Sequence, residues 1–283
     1  MTKYHVSLKE AVAAFLTSEE LVIFKRAFDC VGDIAILEIP DALVPKEKKI
    51  AATLLHINPA IKTVVKKSGG HTGIFRLQKY KILAGERRKT TIHKESGAVL
   101  KIHLEHTYYS PRMGTERLRI ARLVHPGEDI LVMFSGIAPY NIVLAKNTAA
   151  RTVYGVEINP KAHALAEENI VRNKVEDRCK LFCGDVRKIV PPLPLKFDRI
   201  IMPLPKGGED FLDIALAKTK RGTTIHFYDF LPEADFVQAR EKIRAACRRN
   251  KKNCTVLGVH RCGQQGPRVF RICTDFCVGT KRS

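Results

Sequence analysis

The stretch Asp129 to Pro160, DILVMFSGIAPYNIVLAKNTAARTVYGVEINP, constrains this chain more than any other. Its apolar run 130–134 predicts a buried strand, 135–139 a tight turn, 140–147 a helix and 152–157 a second strand. Asn159 is a natural N-cap and Pro160 a natural first residue for the helix that follows. Strand, glycine-bearing turn, helix and strand in that order make the first half of a doubly wound sheet, whose ligand sits at the carboxyl ends of the strands. Glu157 closes the second strand, about 20 residues beyond Gly136, where an acid can accept hydrogen bonds from both hydroxyls of a ribose.

The turn also narrows the ligand. A dinucleotide asks for GxGxxG so that backbone amides can approach a pyrophosphate. Here Gly136-Ile137-Ala138-Pro139-Tyr140 offers one glycine, and Pro139 has no N–H to give a phosphate. A nucleoside ligand without phosphates fits better, and S-adenosylmethionine is the expected one; the competing reading is a βαβ crossover with no ligand. The expected pocket comprises Phe134, Ser135, Gly136, Ile137, Ala138 and Pro139 of the turn, Glu157 with Ile158, Asp185 with Val186, and Pro203.

The chain's 283 residues allow one large domain or two modest ones, and 45% hydrophobic content is ordinary for a globular protein. Lys and Arg outnumber Asp and Glu by 49 to 29, a net charge of +20 that favours an anionic partner, nucleic acid first. No apolar run reaches the ~18–20 residues of a membrane span, and no signal-peptide pattern opens the chain. A cytoplasmic protein without a membrane partner is therefore expected, as a monomer. The eight cysteines form no CxxC pair, so no metal is expected, and Cys273 and Cys277 read as packing residues of an apolar strand.

Residues 1–105 read as a smaller α/β domain: two short helices broken near Thr17-Ser18, a strand over 31–40 closed by Pro40, a Lys-rich helix over 46–56, a strand over 62–66, an extended segment over 76–83, and a hairpin turning at Ser96-Gly97. Its basic residues, among them Lys46, Lys48, Lys49, Lys62, Lys66, Lys67, Lys79, Lys81, Arg87, Arg88 and Lys89, together suggest a face that tracks phosphates. Residues 106–283 hold the nucleotide fold. Near its start a basic helix over 115–123 carries Glu116 among Arg112, Arg117, Arg119 and Arg122. Glu116 is either an ion-pairing partner on that helix or a carboxylate beside the nucleotide site placed to take a proton. Asp185 follows a third strand, where it either bonds an adenine amino group or caps the next turn. A fourth strand delivers Pro203-Leu204-Pro205-Lys206 to the same edge, and the last two strands read as an antiparallel pair at the sheet edge.

Taken together, VGDIAILEIP (31–40), the run 73–97, YYSPRMGTER (108–117), MFSGIAPY (133–140), VEINP (156–160), GDVR (184–187), MPLPKG (202–207) and IHFYDF (225–230) resemble the archaeal and eukaryotic tRNA (guanine-37-N1)-methyltransferase family, which is related to wyosine-pathway enzymes. The resemblance covers nearly the whole chain. It implies an α/β, Rossmann-like class I methyltransferase domain with a smaller N-terminal α/β domain that faces RNA. It also implies methyl transfer from S-adenosylmethionine to N1 of the guanine 3′ of the anticodon, with the tRNA anticodon loop as partner. Carried over by position, Glu116 resembles the general base, Arg76 the arginine that holds guanine O6, and Tyr108 a residue lining the target pocket; Pro203 and Pro205 stand in the loop beside that pocket.

Three positions depart from the family: Val132 stands where an acid is usual, Ala138 where glycine is usual, and Pro203 where asparagine is usual. Because the resemblance begins near residue 20, the further N-terminal domain with which many relatives touch the tRNA elbow is expected to be absent. The alternatives are a wyosine-type transferase acting on a tricyclic base, which Pro203 favours, and a non-catalytic RNA-binding homologue, motivated by Val132 and Pro203.

Overall fold

The computed structural model describes residues 6–279, the side chains of 71 and 72 excepted, so the outermost ends of the expected domains lie outside the described residues. These residues group into two compact units, 6–94 with 100–111 and 95–99 with 112–279.

The first unit begins with helices α1 (Leu8–Val12) and α2 (Ser18–Ile23). Each opens on a capping box, Ser7 with Glu10 and Thr17 with Glu20, which is why two such short helices are separately defined. Strands β1 (Asp29–Val31) and β2 (Ile34–Leu37), helix α3 (Glu47–Ile57), and strands β3 (Thr63–Thr72) and β4 (Leu77–Gly85) complete a four-stranded sheet of order β1-β2-β3-β4. The segment 31–40, expected as one strand, is instead the end of β1, a turn and β2. Gly32 takes φ +56°, and a Cβ there would collide with Thr91, so the chain reverses where an apolar pattern alone suggests continuation. Leu43, Ile50, Leu54 and Val64 are fully buried in this unit's core.

Several basic residues of this unit are already partnered within it. Lys46 pairs with Glu20, Lys66 and Lys81 with Glu47, Arg88 with Asp33 and Glu86, and Lys89 with Glu105. Lys48, Lys62, Lys67, Lys79 and Arg87 are exposed without such an ion pair among the described residues, which narrows the phosphate-facing set. Strands β5 (Thr90–Glu95) and β6 (Ala98–His103) form a separate two-stranded sheet. Ser96 and Gly97 between them have φ +45° and +77°, the left-handed pair a two-residue hairpin turn needs.

The second unit contains α4 (Gly114–Ala121), then β7 (Asp129–Met133), α5 (Pro139–Asn147), β8 (Thr152–Glu157), α6 (Pro160–Asn173), β9 (Cys179–Cys183), α7 (Val186–Ile189) and β10 (Phe197–Met202). It ends with α8 (Leu212–Ala217), β11 (Thr219–Pro232), α9 (Phe236–Arg249), β12 (Cys254–Gly266) and β13 (Val269–Val278). Its seven strands run in the order β12-β13-β11-β10-β7-β8-β9. Pairing from β11 to β9 is parallel, while β13 lies antiparallel between β11 and β12. Every residue of β7 is buried, as a central strand covered on both faces requires. Gly155 on β8 is dictated by close approach: a Cβ would come within 2.7 Å of Leu181 and 2.8 Å of Asn141. Leu131, Met133, Val156, Ile200, Phe227 and Phe276 belong to the unit's core.

Candidate active site

The strand order reverses beside β7, which puts a switch point at the carboxyl ends of β7 and β10, the place where such sheets hold ligands. The turn after β7 is tightly wound. Phe134, Gly136 and Ala138 all have positive φ, at +61°, +56° and +64°. For two side-chain-bearing residues that conformation is costly, and it ends in Ala138 as the left-handed N-cap of α5 with Pro139 as first helical residue. Left-handed backbone at 138 is the physical reason a glycine suits that position.

Glu157 crosses to this turn. Its Oε2 accepts the Gly136 N–H at 2.7 Å, and its Oε1 accepts the Asn159 N–H at 2.8 Å. No ion pair reaches it among the described residues, and burial raises its carboxyl above its ordinary value against the pull of those two amides. A carboxylate so enclosed, with lone pairs left over and no cation, suits the hydroxyl donors of a ribose. Ile158, more than a third exposed beside it, supplies an apolar surface, and Val186 is buried behind the next loop.

Asp185 caps α7: its Oδ1 accepts the Arg187 N–H at 2.8 Å, and the Arg187 guanidinium, which also bonds it, holds its carboxyl below the usual range. The turn-capping role is thus present, and Arg187 shares this acid. Arg187 also lies over the Phe211 ring, 5.4 Å from its centroid, and Phe211 meets Phe134 edge-on at 4.9 Å. Phe211, which packs on the turn after β7, is a residue that no motif signals; the only sequence hint is an aromatic shortly after Gly207-Gly208. At the end of β10, Leu204 N–H bonds Met202 C=O at 2.8 Å and Phe230 N–H bonds Pro205 C=O at 3.1 Å, so backbone contacts together with two prolines fix this loop.

Glu116 is buried on α4 and faces donors only. Arg119 Nε donates to Oε2 at 2.7 Å, Arg119 Nη2 to Oε1 at 2.8 Å, and the Tyr228 hydroxyl to Oε1 at 2.6 Å. The Tyr228 oxygen is 2.8 Å from the Tyr140 oxygen; with Tyr228 donating to Glu116, Tyr140 must donate to Tyr228. Burial raises both phenols well above their ordinary values, so both keep their protons. Tyr140 directly follows Pro139, so two phenols link Glu116 to the nucleotide turn.

Behind Glu116 the polar line continues. Arg119 Nη1 donates to Asp275 Oδ2 at 2.7 Å, Asp275 Oδ1 meets His226 Nδ1 at 2.6 Å, and His226 Nε2 faces Arg199 Nη1 at 2.8 Å. Arg199 in turn clamps Glu128 through Nε and Nη2 at 2.7 and 2.9 Å. Because Arg199 can only donate, His226 carries its proton on Nδ1; burial lowers its tendency to take a second, despite Asp275. Burial alone would raise the Asp275 carboxyl, yet His226 and Arg119 hold it well below the usual range. His226, Cys273 and Asp275 lie close enough together to suggest a metal, but their polar atoms face one another and two guanidiniums, and burial keeps the Cys273 thiol protonated.

Arg76 and Tyr108 belong to the first unit. Arg76, expected in an extended segment, sits in the turn before β4 with φ +52°, its N–H on the Gly73 carbonyl at 3.1 Å; Tyr108 is 39% exposed.

The sheet order, the turn after β7 and the acid ending β8 define a class I methyltransferase fold. The TRM5/TYW2 methyltransferase domain matches residues 91–257 and the TYW2 N-terminal domain matches 8–89. The chain therefore belongs to the TRM5/TYW2 methyltransferase family. It is 37% identical to the tRNA (guanine(37)-N(1))-methyltransferase Trm5b of Pyrococcus abyssi, over 89% of this chain and 74% of that one. The crystal structure of P. abyssi Trm5b superposes with a TM-score of 0.89 at 35% identity, covering 99% of this chain and 82% of that one. A complex of aTrm5 with tRNALeu superposes with a TM-score of 0.85 at 31% identity, covering 96% and 78%. The tRNA 4-demethylwyosine(37)-methyltransferase Taw21 of Saccharolobus solfataricus is 34% identical over 73% of this chain and 78% of its own. Among the described residues no helix is long and apolar enough to cross a membrane.

Proposed function

We propose that this chain transfers the methyl group of S-adenosylmethionine to N1 of guanosine 37 in tRNA, with Glu116 as the base that takes the N1 proton. The observation that carries the reading is the Glu157 carboxylate, partly buried, without an ion pair among the described residues and bonded to the turn after β7. Glu157 would hold the ribose hydroxyls of the cofactor, the turn 134–139 its methionine-bearing side, and Ile158, Val186 and Phe211 its adenine. When bound, the sulfonium supplies an electrophilic methyl group.

Guanine N1 carries a proton and is a poor nucleophile until it loses it, so a carboxylate is the group the reaction lacks. Glu116, presenting both oxygens to donors, has the form that accepts a proton. By resemblance Arg76 would hold O6, where negative charge gathers as N1 is deprotonated, and Tyr108, Pro203 and Pro205 would border the target base. The base must leave its stack in the anticodon loop to be reached, and the exposed lysines of the first unit supply sequence-independent phosphate contacts.

A second reading, methylation of a tricyclic base at the same position, is favoured by Pro203, whose ring offers no amide to a guanine, and by the similarity to Taw21. One experiment decides between them. The protein is incubated with labelled S-adenosylmethionine and either an unmodified transcript bearing G at the position 3′ of the anticodon or the same tRNA carrying 4-demethylwyosine. Mass spectrometry then identifies the product. 1-Methylguanosine is expected; label only on the tricyclic base selects the second reading, and no label in either RNA removes both.

A further inference from the structure

We propose that Arg119, anchored by Asp275, is a positioning residue that lets Glu116 change charge inside a buried site. The inference rests on the reading of Glu116 as the base.

Its warrant is the sharing of one guanidinium between two carboxylates. Arg119 gives Nε and Nη2 to Glu116, and gives Nη1 at 2.7 Å and Nη2 at 3.3 Å to Asp275. A buried ion pair is ordinarily a poor place for a base, because neutralising one partner strands the other charge out of water. Here Arg119 keeps Asp275 when Glu116 gains a proton. With His226 neutral, the group Glu116, Arg119 and Asp275 carries two negative charges and one positive, so an arriving proton brings it to balance. Tyr228 can accommodate the change as well, since a hydroxyl rotates and the Tyr140–Tyr228 bond works in either direction.

Within the second unit the groups facing Glu116 come from each element packed on it. They are Arg119 on its own helix, Tyr140 on α5, Tyr228 on β11, Cys262 on β12 and Cys273 on β13. Asp275 and His226 act through Arg119, and the half-exposed His260 lies 3.3 Å from Asp275 Oδ2, where its protonation would add a positive charge. Arg117 is occupied elsewhere, with Nε on Glu95 Oε1 at 2.5 Å. Arg119 thus bonds the proposed base through two of its nitrogens.

The test is the pH dependence of single-turnover methyl transfer, with cofactor affinity measured on every variant. Activity requires ionised Glu116, so the rate rises with pH along an acid limb. Removing the cation in Arg119→Gln should move that limb upward by ~1–2 pH units and lower the plateau ~10–10²-fold through misplacement. Asp275→Asn removes the second anion and leaves Arg119 wholly to Glu116, so the limb should move downward, by up to about one unit. Arg119→Lys should return the limb toward wild type while recovering only part of the plateau, because an ammonium cannot reproduce the planar fork. Limbs that stay at the wild-type position in both Arg119→Gln and Asp275→Asn, or that move in the same direction, overturn the proposal. If Asp275→Asn fails to bind cofactor or to unfold cooperatively, Arg119→Gln decides alone, and an unmoved limb sinks the idea. A wild-type rate in Glu116→Gln is a separate result: it removes the base, whereas unmoved limbs with an inactive Glu116→Gln remove only the role of Arg119.

Discussion

Glu116 is a buried acid of the second unit and Glu157 a partly buried one, and the protein treats them in opposite ways. Glu157 receives the backbone N–H groups of Gly136 and Asn159 and no ion pair among the described residues, and burial pushes its carboxyl up. Glu116 receives a guanidinium and a phenol, and the guanidinium is itself tied to a second acid. The first arrangement suits an acid that waits for neutral donors and keeps its charge. The second suits an acid that must gain and lose a proton without leaving a cation stranded. In the proposed roles, ligand holding and proton transfer would differ in what stands behind the carboxylate rather than in the carboxylate itself.

The contrast breaks most readily at Glu116. Glu116→Gln preserves shape and removes basicity, so the chemical step should fall ~10²–10⁴-fold with cofactor affinity near wild type. Single-turnover rates that do not change would reduce Glu116 to an ion-pairing residue. Next comes the far end of the polar line. Arg199→Met strands Glu128 without its bidentate partner and takes the donor from His226. Breaking a buried pair this way should cost about 3–5 kcal/mol of stability, read by urea unfolding. A change below ~1 kcal/mol would mean that water reaches Glu128.

Glu157 carries the third prediction. Glu157→Ala should weaken S-adenosylmethionine binding ~10–10²-fold, as expected for losing hydrogen bonds to a charged group. The wild-type protein should show a matching pH dependence. Ribose hydroxyls donate to the ionised form, and the free carboxyl is raised. Affinity is therefore complete above that raised value and is lost as pH falls through it, at milder acidity than an ordinary glutamate would give. Calorimetry at several pH values checks this, and an affinity flat from neutral to mildly acidic pH would place the ribose elsewhere.

The same contrast explains what could be read from the sequence. The turn after β7, the Asn159-Pro160 cap and Glu157 are local: period, glycine, proline and an acid at a fixed offset suffice. The supports of Glu116 are not local. Asp275 stands 156 residues from Arg119 and Tyr228 stands 112 from Glu116, and a sheet in which β13 inserts between β11 and β12 brings them together. Asp275 in an apolar strand carries no signal of its own. The hairpin at Gly32 is hidden for a different reason: its flanking residues are apolar enough to pass for one strand, and the positive φ and the crowding by Thr91 and the Ile92 carbonyl that make the glycine necessary leave no pattern. Arg76 follows the same logic, since a left-handed turn residue beside a strand looks extended when only the strand has a pattern.

The smallest expected effect tests whether the nucleotide turn is strained for function or merely tolerated. Ala138 is fully buried at φ +64°, ψ +35°, a region that costs an alanine ~1–2 kcal/mol. Ala138→Gly removes that cost but frees the unfolded chain, which takes back roughly 0.4–1 kcal/mol. The net should be a stabilisation of a few tenths to ~1 kcal/mol, or a rise in Tm of about 1–4 °C for a unit of this size. Phe134 shares the conformation but not the prediction, because its ring packs against Phe211 and a glycine there would forfeit that contact. If Ala138→Gly instead lowers Tm, the packing of a single methyl group outweighs the dihedral. The turn would then be held by its neighbours, as Glu116 is, rather than by its own backbone.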